Sequence, residues 1–170
     1  MSLVRLLAAV VAVSVALVLQ VSLFPHLAWQ GIVPNLCLLV VVGAALTRGA
    51  QFAAVLGFLA GVVLDLAPPA DHVAGRWALA LVIVGYVAGR VRQDVKPTAT
   101  AVVLTVAASS FVGTSVFAIS GLLLGDPVTD IVELLQVILV AVLWDVLLTP
   151  FVLPLVMKMF QRLEPGRATA

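Results

Sequence analysis

Apolar positions along this chain come in long runs, without the strict alternation of strands or the one-sided stripe of a water-soluble helix. The first run, about Leu6 to Phe24, follows Arg5 and ends before Pro25, His26 and Trp29. It is too long for the apolar core of a cleaved signal peptide, and more runs follow, so it is read as a helix that stays. Two shorter runs, Ile32 to Leu46 and Phe52 to Leu66, are joined by Thr47, Arg48, Gly49 and Ala50. About 15 residues at 1.5 Å each reach roughly 23 Å, less than a hydrocarbon layer of about 30 Å. They are short helices or a re-entrant hairpin, and either returns the chain to its starting side. A fourth run, Trp77 to Gly89, is shorter still and ends in Arg90 and Arg92, whose long side chains can snorkel to headgroups. The fifth, Thr100 to Leu124, is rich in Ala, Ser, Thr and Val, and the sixth, Ile131 to Phe160, contains Asp145, Pro150 and Pro154.

Composition fits a lipid environment. Hydrophobic residues make up 64% of the chain and charged ones 10%, and the uncharged stretch from Pro97 to Gly125 is longer than a soluble core of this size contains. In a bilayer every backbone N–H and C=O must be paired within the chain, and the Leu, Val and Ala content favours helices over a barrel. The expectation is an all-α polytopic membrane protein with six transmembrane helices, the second to fourth short. It would form one transmembrane domain over residues 1–160, with a short tail at 161–170.

The basic residues then fix the orientation. Arg5, Arg48, Arg90, Arg92, Lys96, Lys158, Arg162 and Arg167 fall on one side of six crossings, and Arg76 alone falls on the other, with Asp71, Asp126 and Asp130. The positive-inside rule reads this as both termini in the cytoplasm, with Arg48, Arg90 and Arg92 as cytoplasmic anchors. A net charge of +1 points to no charged partner, nucleic acid included. Cys37 stands alone in an apolar run, so no disulfide framework or thiolate metal site is expected. His26 and His72 lack a third ligand at recognisable spacing, so neither a metal nor a cofactor is expected.

Gly57, Gly61 and Asp65 are spaced four apart and form one helical stripe, and Gly85 and Gly89 repeat the spacing on the next helix. Such glycines let another helix approach closely, and they serve either packing within this bundle or docking of a partner helix, packing being the preferred reading. Ala8, Ala12 and Ala16 offer a similar small-residue face on the first helix. Asp65 has three readings: a ligand for a substrate or ion, a pair for Arg76, or a helix-end residue wetted at the headgroups; a structural role is preferred. Asp145 lies about fourteen residues, roughly 21 Å, into the last helix, where an ionised Asp costs about 2.5 to 3.5 kcal/mol on insertion scales. It is expected to be protonated or clasped by the polar patch Ser109, Ser110, Thr114 and Ser115, with a kink or wet pocket at Pro150 and Pro154 as an alternative. Glu133 is expected to be wet. No base lies at membrane depth, no H-E-x-x-H helix and no phosphate loop is present, and the chain is read as a non-enzyme.

The order Pro34-Asn35-Leu36, Arg48-Gly49, Gly57-Phe58-Leu59-Ala60-Gly61 with Asp65-Leu66, then Gly85-Tyr86 and Gly89-Arg90, resembles the rod shape-determining MreD family, chiefly over residues 33 to 92. The departure is Asn35, where that family usually has Asp; Asn keeps the acceptor oxygen. The resemblance implies a non-catalytic scaffold in the bacterial inner (plasma) membrane, a subunit of the cell-elongation (rod) complex that helps control cell shape and peripheral peptidoglycan synthesis. It would bind an MreC-like bitopic protein, with RodA-type and class B penicillin-binding wall synthases as further partners. It also implies a fold similar to the substrate-binding subunits of energy-coupling-factor vitamin transporters. That similarity supplies the rival reading, a transporter subunit in which Ala8, Ala12 and Ala16 dock a coupling protein. A proton carrier working through Asp145 is the third, and a single acid makes no relay.

Overall fold

The structure is a computed structural model and describes residues 3–68, 72–91, 98–126 and 130–162. Those residues form six helices: α1 Leu3–Ser22, α2 Leu36–Arg48, α3 Ala50–Leu66, α4 Arg76–Val91, α5 Ala99–Leu123 and α6 Ile131–Arg162. Arg92, expected as an anchor, lies outside the described residues, as do Lys96, Asp71, Arg167 and nearly all of the 161–170 tail. Helices α5 and α6 are long and apolar enough to cross a membrane; α1 over residues 7–22, α2 and α3 are apolar but shorter.

Local chemistry sets the boundaries. The first run ends two residues earlier than expected, because Pro25 falls at the start of a 3-10 turn over Phe24–Leu27. The second begins four residues later, since Trp29 and Ile32 exchange backbone hydrogen bonds at 3.2 and 2.9 Å in a tight turn before Pro34. Asn35 then caps α2, its side-chain oxygen accepting the Leu38 N–H at 2.9 Å. A single residue, Gly49, joins α2 to α3 with φ +86°, a conformation in which a Cβ would be strained. Helix α6 continues through both Pro150 and Pro154.

Helix α2 is the axis of the bundle. Every residue from Leu36 to Thr47 is buried, against neighbours from all five other helices. The outside is as apolar as the inside: Val18, Leu66, Leu104, Leu139 and Phe151 are each more than 60% exposed. Water would drive such a surface to aggregate, whereas lipid solvates it. Between helices in lipid the hydrophobic effect supplies no net attraction, so packing and internal hydrogen bonds must hold the bundle.

Helices α3 and α4 run antiparallel, with Ala50 beside Gly89, Ala53 beside Gly85, Gly57 beside Leu81 and Gly61 beside Ala78. Phe160 meets Phe52 edge-on, ring centroids 5.8 Å apart, which brings the end of α6 to the start of α3. Arg48, Arg90 and Arg162 therefore end helices at one pole of the bundle, while Asp65, Arg76 and Asp126 meet at the other.

Candidate functional site

Three polar or small-residue constellations stand out from the apolar bundle. The first lies near the middle of its two longest helices. Asp145 of α6 is 1% exposed, and its carboxyl accepts a hydrogen bond from Ser110 Oγ of α5 at 2.6 Å and from the backbone N–H of Asn35 at 2.8 Å. Ser110 is one of the patch expected to hold it. Ser109 is buried beside it in sequence, while Thr114 donates its hydroxyl to the Ser110 carbonyl at 2.7 Å and so steadies that turn. The Asn35 contact has no counterpart in the sequence reading. It places a carboxyl at the N-terminus of α2, where orphan N–H groups and the positive end of the helix dipole favour it. Thr149 donates to the Asp145 carbonyl at 2.8 Å, next to Pro150, which has no N–H to complete the helix ladder.

The second constellation closes the pole that carries the acids. Asp65, 2% exposed at the end of α3, accepts three backbone N–H bonds from the first turn of α4: Gly75 at 2.8 Å, Trp77 at 3.0 Å and Ala78 at 3.1 Å. It is the N-cap of a helix on another segment, satisfying donors that α4 leaves orphaned. Of the three readings, pairing with Arg76 and wetting by headgroup water are both overturned: the carboxylate faces backbone amides and is out of solvent.

Arg76 turns the other way. Its Nη1 lies 2.6 Å from Asp126 Oδ2, its Nη2 donates to the Phe117 carbonyl at 2.9 Å, and its guanidinium carbon sits 4.0 Å from the Phe117 ring centroid. Trp77 stacks on the same ring at 4.4 Å, and His72 approaches it at 5.1 Å. A buried cation at this depth requires such a set of partners. Phe117 is the organising residue here, and an aromatic in an apolar run gave no signal of it. Asp126, Asp130, Glu133 and Arg76 also border a recess of about 230 Å³ between α5 and α6.

The third constellation is the glycine stripe. A Cβ on Gly57 would collide with the Leu81 carbonyl, on Gly61 with the Ala78 backbone, on Gly85 with the Ala53 carbonyl and on Gly89 with Ala50. In every case the obstacle is backbone of the opposite helix. The stripe is turned inward, so partner docking on Gly57 and Gly61 is corrected: that face is filled by α4, and any docking surface must lie elsewhere. On α1 the packed line is Ala9, Val13, Ala16 and Gln20, each under 9% exposed, with Ala12 and Ala8 half-buried beside it. Gln20 accepts the Cys37 N–H at 3.4 Å, a tie that a lone polar residue in an apolar run could have signalled.

Of the anchors, Arg48 ends α2 half-buried, and Arg90 is exposed at the end of α4, its Nε and Nη2 donating to the Tyr86 hydroxyl at 3.2 and 3.1 Å. Among the described residues, no three His, Cys, Asp or Glu side chains come close enough to hold a metal. His72 keeps its Nε2 3.6 Å from Asp65.

These features are those of a chain that uses its polar groups to join helices inside an apolar layer. No curated protein and no solved structure matches it. A family model does, across residues 1–162, and that family is inner-membrane and shape-determining: the chain belongs to the rod shape-determining protein MreD family.

Proposed function

We propose that this member of the family crosses the membrane six times with both termini in the cytoplasm, and serves the rod machinery as a non-catalytic scaffold. Its partner is an MreC-like bitopic protein, and through it the RodA-type and class B penicillin-binding wall synthases. The observation that carries the reading is the family match over residues 1–162. The gathering of Arg48, Arg90, Lys158 and Arg162 toward one pole supports the orientation, since basic residues stay on the cytoplasmic side.

Helix α1 is the best candidate for the partner-facing element. It packs inward along one narrow line and leaves Leu7, Val11, Val15 and Val18 more than half exposed. A single partner helix laid on that face would displace lipid without disturbing the polar ties that join α2 to α5 and α6. The test is co-purification of the tagged full-length protein from its native membrane in mild detergent, with captured proteins identified by mass spectrometry. An MreC-like protein or wall synthases are expected, and their recovery should fall when Val11 and Val15 are both changed to Trp. A coupling subunit with ATPases in their place would make the chain a transporter component and end the scaffold reading.

A further inference from the structure

Around α2 the other helices follow the order α1, α3, α4, α5, α6, each touching the next. Within that ring the α3–α4 pair is short. From Gln51 to the end of α3 at Leu66 the helix rises about 23 Å, and from Arg76 to Arg90 α4 rises about 21 Å. The two are in register, Ala50 beside Gly89 and Gly61 beside Ala78, so stagger adds no height. Tilt adds none either, since a leaning helix spans less. Past the acidic end Val73 and Ala74 are exposed and outside any helix, and irregular backbone of that kind does not face hydrocarbon. At the basic end Arg90 folds back on Tyr86, its guanidinium carbon 5.4 Å from that ring's centroid, which holds its charge toward the middle of the bundle. The pair is therefore about 7–9 Å short of a hydrocarbon layer of roughly 30 Å.

Its neighbour α5 stands higher. Trp77, in the first turn of α4, stacks on Phe117, and the Arg76 side chain reaches up to Gly121, one turn further along α5. Ala118 to Leu123 thus extend about 9 Å beyond the end of α4. That extension is apolar and open, with Ile119 54% and Leu123 83% exposed. On the far side of α5, α6 carries exposed Leu135, Leu139, Leu143, Leu147, Phe151 and Leu155. They lie between the exposed charges of Glu133 and Lys158, which are about 38 Å apart along the helix. No flat layer suits both sides. One deep enough for α5 and α6 covers the polar ends of α3 and α4, and one shallow enough for that pair leaves Ile119 and Leu123 in water. The step on α5 is about as large as the shortfall of the α3–α4 pair.

We propose that the protein fits a bilayer of uneven thickness, thinned to about 21–23 Å along α3 and α4 and of ordinary depth around α5 and α6. The inference rests on the membrane-spanning reading and is separate from the choice of protein partner. Its test places a nitroxide on one introduced cysteine, Leu79→Cys on α4 or Ile119→Cys on α5, both exposed positions, with the buried Cys37 left in place. Full-length protein is reconstituted in dioleoyl phosphatidylcholine, and each label's depth is read from its collisions with oxygen and with a water-soluble nickel chelate. Leu79 lies two residues inside the level of the Trp77–Phe117 stack and Ile119 two residues outside it, so the labels differ in height by about 6 Å. Each is also about one turn inside its own helix end. A stepped layer therefore puts both at the same depth below the local surface, to within about 3 Å. A larger difference, as a flat layer of any thickness gives, overturns the proposal. Two labels in open water overturn it together with the membrane-spanning reading. A second measurement covers the case in which a label disturbs the fold: thermal unfolding in bilayers with myristoleoyl, oleoyl and erucoyl chains. The wild-type midpoint should fall by at least about 5 °C from the shortest chains to the longest. Gln51→Leu with Arg90→Leu, which lengthens the short pair, should halve that fall, and Lys158→Leu on α6 should leave it unchanged. A wild-type midpoint that does not fall, or an equal fall in the lengthened variant, would also overturn the proposal.

Discussion

The close approach of Gly61 to the backbone of α4 gives the most demanding prediction. In Gly61→Ala the new Cβ would sit 2.5 Å from Ala78 N and from Trp77 O, both backbone atoms that cannot rotate away. Restoring an ordinary contact of 3.4 Å requires the helices to part by at least 3.4 minus 2.5, or 0.9 Å. A gap of that size forfeits about a quarter to a half of the dispersion attraction across the interface, and overpacking of this kind costs about 1–3 kcal/mol. The same motion pulls Trp77 and Ala78 N–H, now 3.0 and 3.1 Å from the Asp65 carboxylate, toward 4 Å and out of hydrogen-bond range. That removes about another 1–3 kcal/mol, while Ala in place of Gly within a helix returns about 1 kcal/mol. The net loss is about 3 kcal/mol, or roughly 6–12 °C in Tm for a chain of this size. The assay is thermal unfolding in mild detergent, with Gly113→Ala as the control. There the Cβ meets only the side-chain ends Leu38 Cδ1 and Val84 Cγ2, at 3.1 and 3.2 Å, so stability should shift by less than about 1 kcal/mol. If Gly61→Ala melts together with Gly113→Ala, the α3–α4 contact is not the close backbone seam described above.

Three further outcomes follow from the polar ties. Asp145→Leu leaves the Asn35 N–H and the Ser110 hydroxyl without an acceptor and should cost about 2–5 kcal/mol, whereas Asp145→Asn keeps an acceptor and should cost about 1 kcal/mol or less, both read by thermal unfolding in detergent. Asn35→Asp should destabilise at neutral pH by placing a second carboxyl beside Asp145; because Asn35 Nδ2 makes no hydrogen bond, no donor is lost, and the double change Asn35→Asp with Asp145→Asn should recover most of the stability. A double mutant no more stable than the single one would count against that pairing. Asp65→Ala should loosen the start of α4 and cost about 2–4 kcal/mol, with faster amide hydrogen exchange at Trp77 and Ala78 than at Val84. Uniform exchange along α4 would contradict the capping role.

Much of this architecture was readable from residue order alone, because lipid sets a length for apolar runs and confines charges to their ends. The six helices fall within a few residues of the six runs, and the exceptions, Ile32–Asn35 and Phe24, are places where Pro25, Pro34 and an Asn cap override hydropathy. The pairing of Asp145 with Ser110 was also within reach, since two antiparallel helices bring mid-helix polar residues to one depth. What the sequence left open was direction. In water a helix reveals its inner face by its apolar stripe, but here the outside is as apolar as the core, so nothing in the pattern says which way Gly57 and Gly61 point. Only the fold turned them toward α4, took Asp65 away from Arg76 and gave it to the α4 amides, and set Asp145 on an N–H 110 residues distant in the chain. Those contacts join segments far apart in sequence through backbone groups, which every residue carries alike and which no residue type announces.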